Sequence, residues 1–501
     1  MTPYLSLERL FGRLRSLNDA AGILGWDAQT LMPAGAAEGR AEQLATLRGL
    51  AHDLLAAPST ADLLAAAEAR IADLDAWQAA NLAEMRRAHA HAVAVPGDLV
   101  EAESKAASAS EMAWREARAM SDFTILAPHL AEVLRLARAV GEAKGAALGL
   151  APYDALLDQY DPGLRRARID PLFDRLRAEI PGLIRAACER QARQGPPPAL
   201  GGAFPVAGQR ALGEALMRDL GFDFARGRLD TSLHPFCGGA TSDVRITTRY
   251  AEGDFTRSLM GVLHETGHAL YEQGRPRAWL GQPVGDARGM TLHESQSLLI
   301  EMQACRTPEF MHHLAPALKG AFGAEAAALD PARLHRIFTR VEPGFIRVDA
   351  DEVTYPAHIL LRYDLERAMV DGDLAVADLP AAFDAGVAAL LGLAVPDDAR
   401  GCLQDIHWPG GAFGYFPTYT LGAAAAAQLF EAATAAEPGI RPGLARGDFG
   451  PLLGWLRGNV HEKGSSRGTD AILEEATGRP LGLDAYLAHL RRRYLGEGGA
   501  A

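Results

Sequence analysis

The residues with the most chemistry in them are His264, Glu265 and His268, an H-E-x-x-H motif set in Leu263-His264-Glu265-Thr266-Gly267-His268-Ala269-Leu270. On a helix, positions four apart share a face with Cβ atoms roughly 6 Å apart, so both imidazoles can turn to one metal ion, and the arrangement suits zinc. Glu265 is rotated about 100° from His264, which sets its carboxylate beside the metal, where it can take a proton from water as a general base. From the His and Glu frequencies of this chain the pattern arises by chance in roughly one of forty chains this long, so its surroundings carry weight. Leu259, Met260, Val262, Leu263, Ala269 and Leu270 wrap the motif in apolar residues that a surface helix does not need. Asp254 stands at the N-cap position and Gly274 and Pro276 stop the run, which predicts a helix from about Phe255 to Gln273.

A catalytic zinc takes a third protein ligand and keeps a position open for water. Tyr271 and Gly274 occupy the positions where a metzincin would place its Gly and third His, which excludes that class. An acidic ligand on a following helix remains. Glu294, in His293-Glu294-Ser295-Gln296, is one candidate, because the glycine-containing loop from Gly281 to Gly289 lets the next helix turn back across the first. Glu301 lies on nearly the same face seven residues on and could ligate instead, or orient a histidine, and His293 is a third possibility.

The elements that must position these groups are mostly helices. From Ser6 to about Arg193 the chain is rich in Ala, Leu, Glu and Arg, with apolar residues recurring at three and four. Gly39 to Ala57, Thr60 to Ala94, Asp98 to Ala119 and Ala127 to Leu148 read as long amphipathic helices, with Pro33, Pro58, Pro96, Pro128 and Pro152 in breaks or first turns. A Pro/Gly-rich loop between Gln191 and Gly208, including Gly195-Pro196-Pro197-Pro198, separates a helical half of about 1–193 from a zinc-site half of about 209–501 within one domain spanning 1–501. The period changes once, at Asp243 to Tyr250, where alternation predicts a strand and a small β-sheet beside the zinc site. A second helix is expected from Thr291 to Arg306, and helical periodicity then continues to Arg493.

The 501 residues, 48% hydrophobic and 23% charged, can bury a large core. Fifty basic against sixty-three acidic residues give a net charge of -13, which opposes binding to nucleic acid or an anionic membrane and favours a small or peptide ligand. Cys188, Cys237, Cys305 and Cys402 are scattered and form no C-x-x-C pair, so they read as reduced thiols. No signal peptide or membrane-spanning run stands out, so a cytoplasmic protein is expected.

Several further motifs occur in order: His234-Pro235-Phe236, Asp243-Val244-Arg245-Ile246-Thr247, Ile346-Arg347-Val348-Asp349-Ala350-Asp351 and Gly401-Cys402-Leu403-Gln404-Asp405-Ile406-His407-Trp408. With His264-Glu265-Thr266-Gly267-His268 and His293-Glu294-Ser295-Gln296 they resemble the signature motifs of the M32 metallocarboxypeptidases, the thermostable carboxypeptidases of the Taq type. Trp26-Asp27 to Pro33 and Phe413-Gly414-Tyr415-Phe416-Pro417-Thr418-Tyr419 also look like family segments, so the resemblance runs nearly the whole chain. It implies a mostly α, multi-helix fold with a deep central groove, a homodimer, and removal of single C-terminal residues from peptides with broad specificity and poor action near proline. It also implies His264, His268 and Glu294 as zinc ligands, with cobalt able to replace zinc, and Glu265 as the base. Leu299 and Met302 depart from the Arg and Asn expected of the family there.

A peptidase that cuts at a C-terminus must recognise a free carboxylate, which guanidinium groups bind through paired charge-assisted hydrogen bonds. Arg347 and Arg245 are the candidates, each amid apolar or small neighbours, and the resemblance favours Arg347. An oxyanion donor is also needed; His407, Tyr415 and Tyr419 offer polar tips, and His234 is a further substrate-binding candidate. The rival readings are a helical zinc endopeptidase or aminopeptidase, and a non-catalytic peptide-binding protein, against which the intact Glu265 argues.

Overall fold

The computed structural model describes residues 2–196 and 200–497, so Pro197 and Pro198 of the expected Pro/Gly loop lie outside the described residues. The described residues form twenty α-helices and one three-stranded sheet. The chain groups into two compact units, one of Met1–Ala92, Pro197–Phe338 and Gly422–Leu481, the other of Val93–Pro196, Thr339–Leu421 and Gly482–Ala501.

In the first unit, Thr2 caps a helix over Pro3–Thr30 by accepting from Leu5 N, with Pro3 at a position that needs no donor. Its apolar stripe, Tyr4, Leu7, Phe11 and Leu14, packs on Leu64, Ala67, Leu82 and Met85. The helix expected from Thr60 to Ala94 is two helices, Pro58–Glu68 and Ala76–Val93, with a 3₁₀ turn at Ile71–Asp73 between them. A reciprocal cap starts the second: Asp75 Oδ1 accepts from Gln78 N at 2.9 Å and Gln78 Oε1 accepts from Asp75 N at 3.1 Å. The sheet comprises β1 (Gly227–Thr231), β2 (Cys237–Ala240) and β3 (Asp243–Thr248), with β3 central, parallel to β1 and antiparallel to β2. The strand expected at Asp243 to Tyr250 is thus present, and its buried residues Val244, Ile246 and Thr248 share one face of a strand that packs on the helix carrying the H-E-x-x-H motif, with Thr248 Oγ1 3.4 Å from Ser258 O.

In the second unit, helices Gly97–Met120 and Phe123–Leu148 pack side by side, joined through Ser121 in the left-handed region at φ 51°. Asp122 caps the second of these at Thr124 N, four residues earlier than the sequence suggested, so Pro128 sits inside the helix rather than in its first turn. The helix Arg166–Arg193 packs on Tyr355–Asp371, where Phe173 and Tyr363 meet edge to face at 5.0 Å.

Candidate metal centre and active site

The motif helix spans Phe255–Gly274 and begins at Asp254, whose Oδ1 accepts from Thr256 N at 2.8 Å. It is buried almost all round, which is why its apolar residues are not confined to one stripe. The following helix, Gly289–Leu298, crosses it so closely that a Cβ on Gly267 would lie 2.5 Å from Gln296 O and from Ser297 Cα. Glycine is therefore required there by contact rather than by conformation. Past Leu298 the helix widens into π geometry over Leu299–Ala304 rather than continuing as the uniform α-helix expected to Arg306.

This packing gathers one ligand-capable atom from each of His264, His268 and Glu294 within 4.8 Å of one another. A Glu294 oxygen stands 3.4 Å from His268 Nε2, and the other 3.9 Å from His264 Nε2. A tetrahedral ion with bonds of about 2.0–2.2 Å needs donor atoms roughly 3.3 Å apart, so the three residues fit such an ion. Glu301 and His293 approach the other ring nitrogens. Glu301 Oε2 lies 2.9 Å from His264 Nδ1, and His293 Nδ1 lies 2.7 Å from His268 Nδ1.

The hydrogen-bond network assigns the tautomers. His293 Nε2–H donates to Glu272 Oε1 at 2.9 Å, which leaves His293 Nδ1 as the acceptor for His268 Nδ1–H and a lone pair on His268 Nε2. Donation from His264 Nδ1–H to Glu301 likewise turns His264 Nε2 toward the position a metal would take. Glu301 is itself held by Arg306, and Glu272 by Arg275 at 3.0 Å.

The electrostatics follow from burying these groups together. Burial holds His268 down at about 4, the neutral form a metal requires. Burial also acts to lower His264, but Glu301, Glu294 and Glu265 outweigh it and raise it to about 10, so a metal must displace its proton. Glu265 is raised to about 7, by burial first and then by Glu294 and Glu301, while His264 and His293 oppose the shift. A carboxyl titrating near neutrality is suited to taking and giving back a proton.

A second cluster lies within the second unit. Arg347 donates from Nε and Nη2 to Asp405 Oδ1 at 3.0 and 2.8 Å, and Arg362 donates from Nε to Asp405 Oδ2 at 2.5 Å. Tyr419 lies under the Arg347 guanidinium at 5.1 Å, and its hydroxyl is 3.2 Å from His407 Nε2. Tyr415 meets Tyr419 edge to face at 5.2 Å. His407 is pushed down to about 3 by burial and by Arg347, so its imidazole is neutral. The segment carrying these residues is anchored by Glu366, which accepts from Tyr153 OH at 2.6 Å, Trp408 Nε1 at 2.8 Å and Gly414 N at 2.7 Å.

Of the remaining sequence candidates, Arg245 is half-buried, paired with Asp243 and stacked 4.6 Å over Trp26. The Trp-Asp pair at residues 26 and 27 thus supports β3, with Asp27 bonded to Arg40 at 2.8 Å. His234 is exposed, next to Pro235, whose Cγ would lie 3.9 Å from a Cβ on Gly261 of the motif helix. Sequence reasoning missed Glu272, Arg362 and Glu366. Glu272 stands four residues after His268 on the same helical face, a usable signal; an arginine and a glutamate inside the apolar run around Ile359 to Leu365 were the signal for the other two.

The sequence profile of the family described as Carboxypeptidase Taq (M32) metallopeptidase matches residues 6–494. The chain is 38% identical to Thermostable carboxypeptidase 1 of Thermus thermophilus, covering 99% of each, and 34% identical to Carboxypeptidase 1 of Bacillus subtilis, covering 97% of this chain and 96% of that one. Its fold superposes on metallocarboxypeptidase 1 of Trypanosoma cruzi with a TM-score of 0.96 at 40% identity, covering 98% of this chain and 99% of that one. An M32 carboxypeptidase from Deinococcus radiodurans gives 0.94 at 38% identity, covering 98% of each. Helical fold, candidate metal site and full-length similarity agree: this chain belongs to the M32 family and is a metallocarboxypeptidase.

Proposed function

We propose that the chain is a zinc-dependent carboxypeptidase that removes single C-terminal residues from peptides, with broad specificity and poor action near proline, as a cytoplasmic homodimer. The observation that carries the metal reading is the convergence of His264, His268 and Glu294 with the Nδ1 atom of each histidine engaged by an orienting partner. Two imidazoles and one carboxylate are a donor set suited to zinc, and cobalt is expected to substitute. When bound there, the ion supplies Lewis-acid polarisation of the scissile carbonyl and acidifies water.

The chain's own residues do the rest. Glu265 takes a proton from the attacking water as the new C–O bond forms, then passes it to the amine nitrogen as the C–N bond breaks. A neutral His407 and the Tyr419 hydroxyl it contacts, with Tyr415 beside them, supply the donor for the oxyanion. Arg347 binds the substrate's terminal carboxylate, because its bonds to Asp405 use the Nε–Nη2 edge and leave Nη1 outside the pair. Arg245 and His234 contact the peptide elsewhere along its length.

Paired peptides test this reading. Losing one side of a buried ion pair costs about 2 to 5 kcal/mol, so amidating the C-terminus lowers kcat/KM by roughly one and a half to three and a half orders of magnitude. Arg347→Ala imposes a comparable loss on the free acid and leaves the enzyme nearly indifferent to amidation. Equal cleavage of acid and amide by the wild type contradicts carboxylate recognition and points to an endopeptidase.

A further inference from the structure

Asp405 does not neutralise Arg347, because it is shared. Its Oδ1 takes both bonds from Arg347, while its Oδ2 takes Nε of Arg362, whose Nη1 donates to His358 O at 2.9 Å. Arg362 is 1% exposed, and its Nη2 is buried without a hydrogen-bond partner among the described residues. The ring centroid of Phe416 lies 5.8 Å from the Arg347 guanidinium carbon and 5.7 Å from that of Arg362, so the two cations share one aromatic ring and one carboxylate. Two guanidiniums and one carboxylate leave a net charge of +1 in a buried cluster. The neutral His407 beside it adds nothing to that charge.

A second buried arginine is costly to keep unless its charge is used. Were Arg362 absent, both oxygens of Asp405 could close on Arg347 as a one-to-one pair, and Arg347 would meet a substrate carboxylate already neutralised. We infer that Arg362 is a specificity-determining residue that never touches substrate: by holding Asp405 Oδ2 it leaves Arg347 under-neutralised and therefore able to select a peptide with a free C-terminal carboxylate. Asp405 then orients Arg347, and Arg362 sets how much charge Arg347 presents. The inference rests on the assignment of Arg347 to the terminal carboxylate.

The test follows the charge count, with kcat/KM measured for one peptide as its free acid and as its amide. The cluster carries +1 in the wild type, 0 in Arg362→Met, +2 in Asp405→Asn and +1 in the double variant. The acid-to-amide ratio is expected to fall at least about tenfold in Arg362→Met, through KM for the acid. It returns to within a few fold of wild type in the double variant and is no lower than wild type in Asp405→Asn. A purely structural role lowers both substrates together and is not corrected by a second substitution. Arg362→Gln has the same charge count as Arg362→Met and keeps a donor for Oδ2, so misfolding of one variant leaves the comparison intact. An unchanged ratio in Arg362→Met, or a double variant as low as the single, overturns the inference while Arg347→Ala still abolishes discrimination. A wild type indifferent to amidation overturns the Arg347 assignment and this inference with it.

Discussion

Replacing Gly267 by alanine separates local from tertiary control of the metal centre. Considered as an isolated helix, the change is favourable by about 1 kcal/mol, because glycine is the poorer helix former. The packing says otherwise. The added Cβ would lie 2.5 Å from Gln296 O and Ser297 Cα and 2.9 Å from Gln296 C, all of them backbone atoms that cannot rotate away. Ordinary carbon contacts need about 3.5 Å or more, so the two helices must part by roughly 1 Å. Overpacking of this kind costs about 1 to 3 kcal/mol, which exceeds the propensity gain over most of its range. Glu294 sits on the displaced helix, and its other side is also tight: a Cβ on Gly422 would lie 2.8 Å from its Cβ and Cγ. The same movement therefore draws the carboxylate away from His264 and His268, and zinc affinity should fall about 10- to 100-fold, as when an orienting partner is lost. Chelator competition gives the affinity, and denaturant unfolding of the metal-free protein gives the stability. A Gly267→Ala protein that binds zinc as tightly as wild type and is stabilised by the helix-propensity increment would refute the packing argument.

Other outcomes follow from the same geometry. Glu294→Ala should lose metal, whereas Glu301→Ala should retain it with about 10- to 100-fold weaker binding, since Glu301 meets His264 at Nδ1 and not at the metal-facing Nε2; metal analysis after dialysis showing the reverse order makes Glu301 the ligand. Glu366 is raised from 4.5 to about 7, by burial against the opposing bonds from Tyr153, Trp408 and Gly414. A raised carboxyl binds its proton more tightly when folded, so its contribution is fully present below about pH 4.5 and is lost as pH rises to about 7. The loss is on the order of 3 kcal/mol. The stability of wild type relative to Glu366→Gln should fall across that window, and a flat difference would exclude the shift.

Much of the site was legible because its signals are local. Asp254, Gly274 and Pro276 bound the motif helix to within a residue of its observed end, and i, i+4 spacing placed the two imidazoles together. The break between Glu68 and Ala76 was also written locally, in Asp75-Ala76-Trp77-Gln78, but continuous helix-forming composition obscured it. The π segment at Leu299–Ala304 had no such mark, and a uniform α-helix puts Glu301 and Glu294 on one face, where both would compete for the metal. In the structure they take different nitrogens of His264. The sharing of Asp405 by Arg347 and Arg362 depends on residues 43 and 58 positions apart, which no spacing rule connects.

The assignment of Glu265 as base beside a His264–His268–Glu294 metal site is tested most directly by Glu265→Gln, with zinc content and turnover of a free-acid peptide read on the same sample. Glutamine keeps the shape of the side chain and cannot accept the proton. Stoichiometric zinc with kcat reduced at least about a hundredfold is the predicted result. Stoichiometric zinc with near-normal turnover contradicts it.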